Sequence, residues 1–169
     1  MVNEQLLLLV GEINESLVVI NNINELYAQY RQNFIDTDKR DIRDAVLLSD
    51  ILCNTYTCIE TILFRISRVF ENQLDPDRWH KELLRKMHID IPGVRRAVLS
   101  KASYQLLDEL RRFRHFKRYY YDFNYDWSKL EYLQTVYLKV MPLIKDELNN
   151  YASFLMQCAE MENDRFDKP

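Results

Sequence analysis

Residues 41–70 read DIRDAVLLSDILCNTYTCIETILFRISRVF, with no glycine and no proline. Ala45, Leu48, Leu52, Tyr56, Ile59, Leu63, Ile66 and Phe70 recur at three- and four-residue steps. That spacing places them on one face of an α-helix and predicts a single long amphipathic helix over about 41–70. Glu60 borders the stripe, beside Tyr56 and Leu63. Towards the N-terminus, Leu6, Leu9, Val10, Ile13, Leu17, Ile20, Ile23, Leu26, Tyr27 and Tyr30 repeat the pattern and predict a helix over 4–34. Gly11 inside it has a modest cost in helix propensity and is expected to mark a close helix contact. Asp36–Arg40 is a short charged connection.

Towards the C-terminus, Asp75 reads as an N-cap and Pro76 as the first residue of a short helix ending near Met87. Ile91-Pro92-Gly93 is the strongest breaker in the chain. Ser100 is a candidate N-cap for a helix over 101–122, and Asp126 for one running from Trp127 to about Glu160. Pro142 should kink that last helix or split it in two. The polar tail 163–169 is expected to fray. The chain therefore reads as a single domain over 1–169: all-α, an antiparallel helical bundle of four long helices and one short one.

Composition agrees. There are 2 Gly and 4 Pro in 169 residues, where about 7% Gly and 5% Pro are usual. Sheets need turn residues, and phosphate-cradling loops need glycine, so sandwiches, barrels, Rossmann folds and P-loops are excluded. The three cysteines, Cys53, Cys58 and Cys158, form no C-x-x-C pair and are odd in number. They read as small apolar core residues in a reducing compartment. The apolar run Leu6–Val10 has no basic segment before it and has Glu12 and Glu15 after it. It is expected to be neither a signal peptide nor a membrane span, which points to the cytoplasm.

The net charge of -3 is unevenly spread. Arg78–Arg118 holds 12 Lys/Arg and 4 Asp/Glu, and the other 128 residues hold 11 and 22. The basic sector is densest at Arg111-Arg112-Phe113-Arg114-His115-Phe116-Lys117-Arg118, with Tyr119, Tyr120 and Tyr121 directly after it. At about 100° per residue, Leu99, Ala102, Leu106, Leu110, Phe113 and Tyr120 share one side. Arg111, Arg114, His115, Arg118 and Asp122 share another, with Arg114 nearest the apolar border. Stacked like charges call for compensation, either acids from neighbouring helices or an anionic ligand. Arginine offers forked donors for phosphate, tyrosine offers stacking surfaces for bases, and His115 can exchange a proton near neutral pH. The stripe has the makings of an RNA phosphodiester site. The alternative is an internally neutralised ion-pair face, with Glu60 and other acids as partners.

Four stretches together resemble the HepT-like branch of the HEPN superfamily: Ile59–Leu63, Trp79–Leu84, Pro92–Arg95 and Leu110–His115. The resemblance covers roughly residues 41–160. It implies a HEPN-like bundle, a homodimer, and often a neighbouring minimal nucleotidyltransferase. Active members of such families are metal-independent toxin ribonucleases. The nucleotidyltransferase neutralises them by adenylylating a motif tyrosine. The family motif is Arg, four residues, His, one residue, Tyr, with a polar residue directly after the Arg. Here the Arg matches Arg114, the polar position His115 and the terminal Tyr Tyr121. The His position falls on Tyr119, a departure from the pattern. The resemblance implies Arg114 as the motif arginine and Tyr121 as an adenylylation target. On the stripe, Arg114, His115 and Arg118 are then the expected catalytic residues of an active enzyme, and Arg111 and Tyr119 the expected RNA contacts. His115 would be base or acid, and the two arginines would hold phosphorane charge. The competing reading is an inactive HEPN-fold module that binds RNA or a nucleotidyltransferase.

The remaining candidates read as structural. His80 and His88 are expected to be packed or exposed, and Trp79 and Trp127 to be core or hinge residues. Glu60 is expected to pair with an arginine of the stripe rather than perform chemistry. The histidines show no metal-ligand spacing with carboxylates, and no cofactor is assigned.

Overall fold

The computed structural model describes residues 2–33, 40–70, 79–119 and 125–166. It is an all-α bundle of α1 (Val2–Asn33), α2 (Ile42–Phe70), α3 (Trp79–Met87), α4 (Lys101–Tyr119) and α5 (Trp127–Phe166). Four are long and one short, as the periodicity predicts. Contacts across the helices fix their directions. Glu12 and Ser16 of α1 meet Arg65 and Cys58 of α2. Ser103 and Phe116 of α4 meet Glu147 and Lys129 of α5. In both pairs low numbers meet high ones, so the neighbours run antiparallel. The short α3 packs against α2 and α4.

The core is one cluster drawn from all five helices. Ala45, Leu48, Leu52, Tyr56, Ile59, Leu63 and Ile66 of α2 are all buried in it. Tyr137, Val140, Ile144, Leu148, Tyr151 and Leu155 of α5 are buried in the same cluster. By length and composition α1 and α2 are each long and apolar enough to cross a membrane. In the bundle α1 packs mainly on α5 and α2, which is also what core helices do.

Helix starts follow local chemistry. At α2, Asp41 accepts from the backbone of Arg43, and its own N–H donates to Asp44, a reciprocal cap. Ser100 accepts from the Ser103 N–H, and Asp126 from the N–H of Ser128, so both expected N-caps are present. The expected cap at Asp75 and Pro76 lies outside the described residues.

Three local expectations are corrected. A Cβ at Gly11 would meet nothing within 4 Å, so no close helix contact explains that glycine. α5 runs through Pro142 as one helix and is not split there. Pro142 is on the solvent side, and so is Leu138, whose carbonyl the proline leaves unbonded, so water can satisfy it. The cysteines are free thiols but half-buried at the edge of the core. Burial pushes the Cys53 thiol up to about 11 and raises that of Cys58, which makes both weak nucleophiles.

Residues 88–99 pin α3 in place. Gly93 takes φ +76° at the turn, a region that suits glycine. Arg95, 5% exposed, folds back over the end of α3. Its guanidinium donates to the carbonyls of Lys86, Ile89 and Arg96, at 2.8, 3.2 and 3.2 Å. The N–H groups of Val98 and Leu99 both donate to the Met87 carbonyl. Orphan carbonyls at the helix end are thereby satisfied, and α3 is tied to the start of α4.

Candidate functional site

The basic stripe sits on α4, and the structure turns that helix further inwards than the sequence suggests. Ser103, Leu107, Leu110 and Phe113 are buried, whereas Ala102 is exposed and Leu106 half-exposed. The buried face is rotated by somewhat less than one residue step, a step being about 100°. Ser103 takes the inward position because its hydroxyl and the Ser100 N–H both donate to Glu147 of α5. The rotation moves Arg114 from the border of the apolar face to its interior.

There Arg114 meets Glu60. This carboxylate lies within the apolar stripe of α2 and is 3% exposed. A buried carboxylate is costly unless it is paired and hydrogen-bonded, and three groups serve it. The Arg114 Nη1 lies 3.1 Å from Oε2. The Tyr56 hydroxyl donates to Oε1 at 2.9 Å, and the His80 Nδ1 lies 2.6 Å from the same oxygen. The Arg114 guanidinium also stands over the Tyr56 ring, 5.6 Å from its centroid. Burial and the adjacent carboxylate push the Tyr56 phenol far above its ordinary value, so it remains a neutral donor. Three helices thus converge on one carboxylate: α2 with Glu60 and Tyr56, α3 with His80, α4 with Arg114.

The expected pairing of Glu60 with an arginine of the stripe is present. The participation of His80 is the feature that the sequence reading did not anticipate. A signal for it existed. An acid inside an apolar stripe needs partners, and the family-like stretches Ile59–Leu63 and Trp79–Leu84 contain Glu60 and His80.

Most of the remaining stripe is neutralised internally. The Arg111 Nε donates to Asp108 at 2.7 Å, and Arg112 pairs with Asp108 at 2.8 Å and with Glu109 at 3.6 Å. Lys117 pairs with Asp50 of α2. Arg118, one turn beyond Arg114, is exposed and makes no ion pair among the described residues. His115 is exposed on the outer side of α4, and Phe116 beside it carries Lys129 over its ring at 4.7 Å. Tyr119 is the last residue of α4, and its side chain lies outside the described residues, as does Tyr121 altogether. His88 stacks on Tyr104 with centroids 4.2 Å apart, a packing role as expected.

The site thus offers a held guanidinium, a neighbouring imidazole and an exposed second arginine. Among the described residues no three His, Cys, Asp or Glu side chains are grouped to hold a metal ion. The chemistry such a set supports is anion binding with proton transfer.

A family model described as HepT-like protein matches residues 47–155, a span that includes Glu60, His80, Arg95 and Arg114. No curated protein and no solved structure matches the chain.

Proposed function

The chain belongs to the HepT-like family, a HEPN-type, RNase-like group, and on that premise we propose that it is a metal-independent endoribonuclease, the toxin of a toxin–antitoxin pair. The observation that carries this reading is Arg114, at the motif position, fixed by buried Glu60 and by the face of Tyr56. Its guanidinium meets Glu60 through Nη1, and the rest of the planar fork can also hold a phosphate. Arg118, one turn on, supplies a second positive charge for the developing phosphorane. In this mechanism a ribose 2′-OH attacks the adjacent phosphate and the 5′-oxygen leaves. The histidines that can move the proton are His115 on α4 and His80 on α3.

The proposed assembly is a cytoplasmic homodimer with two such stripes lining one cleft. Its proposed antitoxin is a minimal nucleotidyltransferase that transfers an adenylyl group to Tyr121. The test is cleavage of a single-stranded RNA in excess EDTA by wild type and by Arg114→Lys. The lysine keeps a cation for Glu60 and loses the planar fork. A loss of about 10²–10³-fold in rate is expected, and unchanged cleavage would sink the site.

Tyr119 at the motif His position favours a second reading, an inactive module that binds RNA without cutting it. Salt-sensitive RNA binding by a wild type that leaves the RNA intact in EDTA would favour it.

A further inference from the structure

We propose that the furrow between α3 and α4 is a phosphate track for single-stranded RNA, with Lys81 and Arg85 of α3 as its contacts. The proposal rests on the reading of Arg114 above, and it places the part of the RNA that lies beyond the cleaved bond.

α3 and α4 run antiparallel. His80, at the start of α3, meets Arg114, late in α4, through the shared Glu60 carboxylate. His88, in the turn that ends α3, stacks on Tyr104 near the start of α4, with centroids 4.2 Å apart. Lys81, Arg85 and His88 follow one another at four and three residues, a single line on a helix surface. Because the His88 ring lies on Tyr104, that line runs down the α4 side of α3. On α4, Tyr104, Asp108, Arg111, His115 and Arg118 make a line of the same spacing, and it starts from the residue that His88 touches. The two lines therefore flank one furrow. From Tyr104 to Arg118 it is about 21 Å long.

The charge along this furrow is not balanced from within. Asp108 is its one acid, and Arg111 already donates to it at 2.7 Å. Lys81, Arg85 and Arg118 are exposed and make no ion pair among the described residues. By contrast Lys86, Arg112 and Lys117, which lie off the furrow, are matched by Glu82, by Asp108 and Glu109, and by Asp50. Like charges on neighbouring helices repel, and a phosphodiester chain laid between them removes the repulsion. Lys81 and Arg85 are one turn apart, about 6 Å along the helix, and so serve separate phosphates. At about 3.4 Å per stacked nucleotide the furrow holds about six nucleotides. Its Lys81 end adjoins His80 and opens onto the Arg114 fork. RNA is favoured over an acidic protein segment because one phosphodiester chain fills both the fork and the track.

The experiment measures binding, so it does not depend on cleavage. A fluorescein-labelled single-stranded RNA of about 12 nucleotides, within the usual range of site sizes, is titrated with the full-length protein in EDTA, at about 50–200 mM NaCl. Four phosphate contacts, from Lys81, Arg85, Arg114 and Arg118, predict that wild-type affinity falls about 50-fold across that range. Lys81→Gln/Arg85→Gln removes two of them, and its affinity should fall only about sevenfold. Each single variant should lie between. Arg31→Gln/Lys139→Gln removes two exposed cations from α1 and α5, away from the furrow, and should keep the wild-type slope. A wild-type slope in Lys81→Gln/Arg85→Gln overturns the track, and the ribonuclease reading stands if that wild type cuts RNA. An equal fall in slope for the control pair also overturns it, since any surface cation would then serve. Tighter binding of a poly-glutamate peptide than of RNA of equal charge overturns it in favour of an acidic protein partner. A wild type that binds with the predicted slopes and cuts nothing supports the track and refutes the ribonuclease reading alone. A wild type that binds no RNA refutes both.

Discussion

Replacing Glu60 with glutamine tests whether the three-helix cluster is a stabilising device as well as a chemical one. Glutamine keeps the volume and one oxygen that can accept from Tyr56 and His80. Its amide, however, presents N–H groups where Arg114 needs an acceptor, so donor meets donor. The wild-type contact is a charge-assisted pair at 3.1 Å with Glu60 buried. Breaking a buried pair costs about 3–5 kcal/mol when the surviving charge stays dry, and one charged hydrogen bond contributes about 1.5–3 kcal/mol. The Arg114 side chain is 19% exposed and regains some water, which places the expected loss within the lower range, at about 2–3 kcal/mol. For a chain of this size that is a drop in Tm of about 4–12 °C. The assay is urea unfolding and thermal melting at neutral pH, followed by a double-mutant cycle with Arg114→Gln. A coupling energy of about 1–3 kcal/mol between the two positions is expected. A Glu60→Gln protein within 0.5 kcal/mol of wild type, or a coupling near zero, would refute the claim that the carboxylate holds Arg114 in place; the 0.5 kcal/mol bound is about the size of ordinary surface effects.

Other consequences follow from single contacts. Gly11→Ala should stabilise the chain by about 1 kcal/mol, since the position is helical and open, and a raised Tm in thermal melts checks it. Arg95→Met should destabilise by about 2–4 kcal/mol by freeing the carbonyls of Lys86, Ile89 and Arg96, as measured by urea unfolding. Tyr56 titrates higher in the folded protein than its ordinary value near 10, so the unfolded chain releases that proton first as pH rises. Its contribution is fully present below about pH 10 and declines above it, by up to about 1.4 kcal/mol per pH unit. Tyr137, pushed up to about 12, acts in the same direction. Tyr56→Phe should therefore flatten the alkaline loss of stability in unfolding curves between pH 9.5 and 11, a range chosen to bracket about pH 10; an unchanged slope contradicts the burial of that hydroxyl.

What the sequence disclosed was local. The α2 stripe from Ala45 to Ile66 is buried as its spacing dictates, and Ser100 and Asp126 cap the helices they precede, because caps and periodicity act over three or four residues. The orientation of α4 was less legible. Ala102 and Leu106 satisfy an apolar pattern, but the Ser103–Glu147 bond to α5 decides which face turns inwards. Least legible was the meeting of Glu60, His80 and Arg114. It depends on α3 being anchored by Arg95 and on α4 being rotated, and neither has a periodic signature. Histidine in a nine-residue helix looks structural until the acid opposite it is placed. The spacing alone also does not say that Arg111, expected as an RNA contact, donates to Asp108 one turn earlier.

The ribonuclease claim is tested most directly by the ends it leaves. A DNA oligonucleotide carrying a single ribonucleotide, incubated with the full-length protein in excess EDTA, should be cut only on the 3′ side of that ribonucleotide. The products should be a 2′,3′-cyclic phosphate and a 5′-hydroxyl, and the all-deoxy strand should remain whole. Cleavage of the all-deoxy strand, dependence on added divalent metal, or 5′-phosphate ends would contradict attack by the 2′-OH at the Arg114 site.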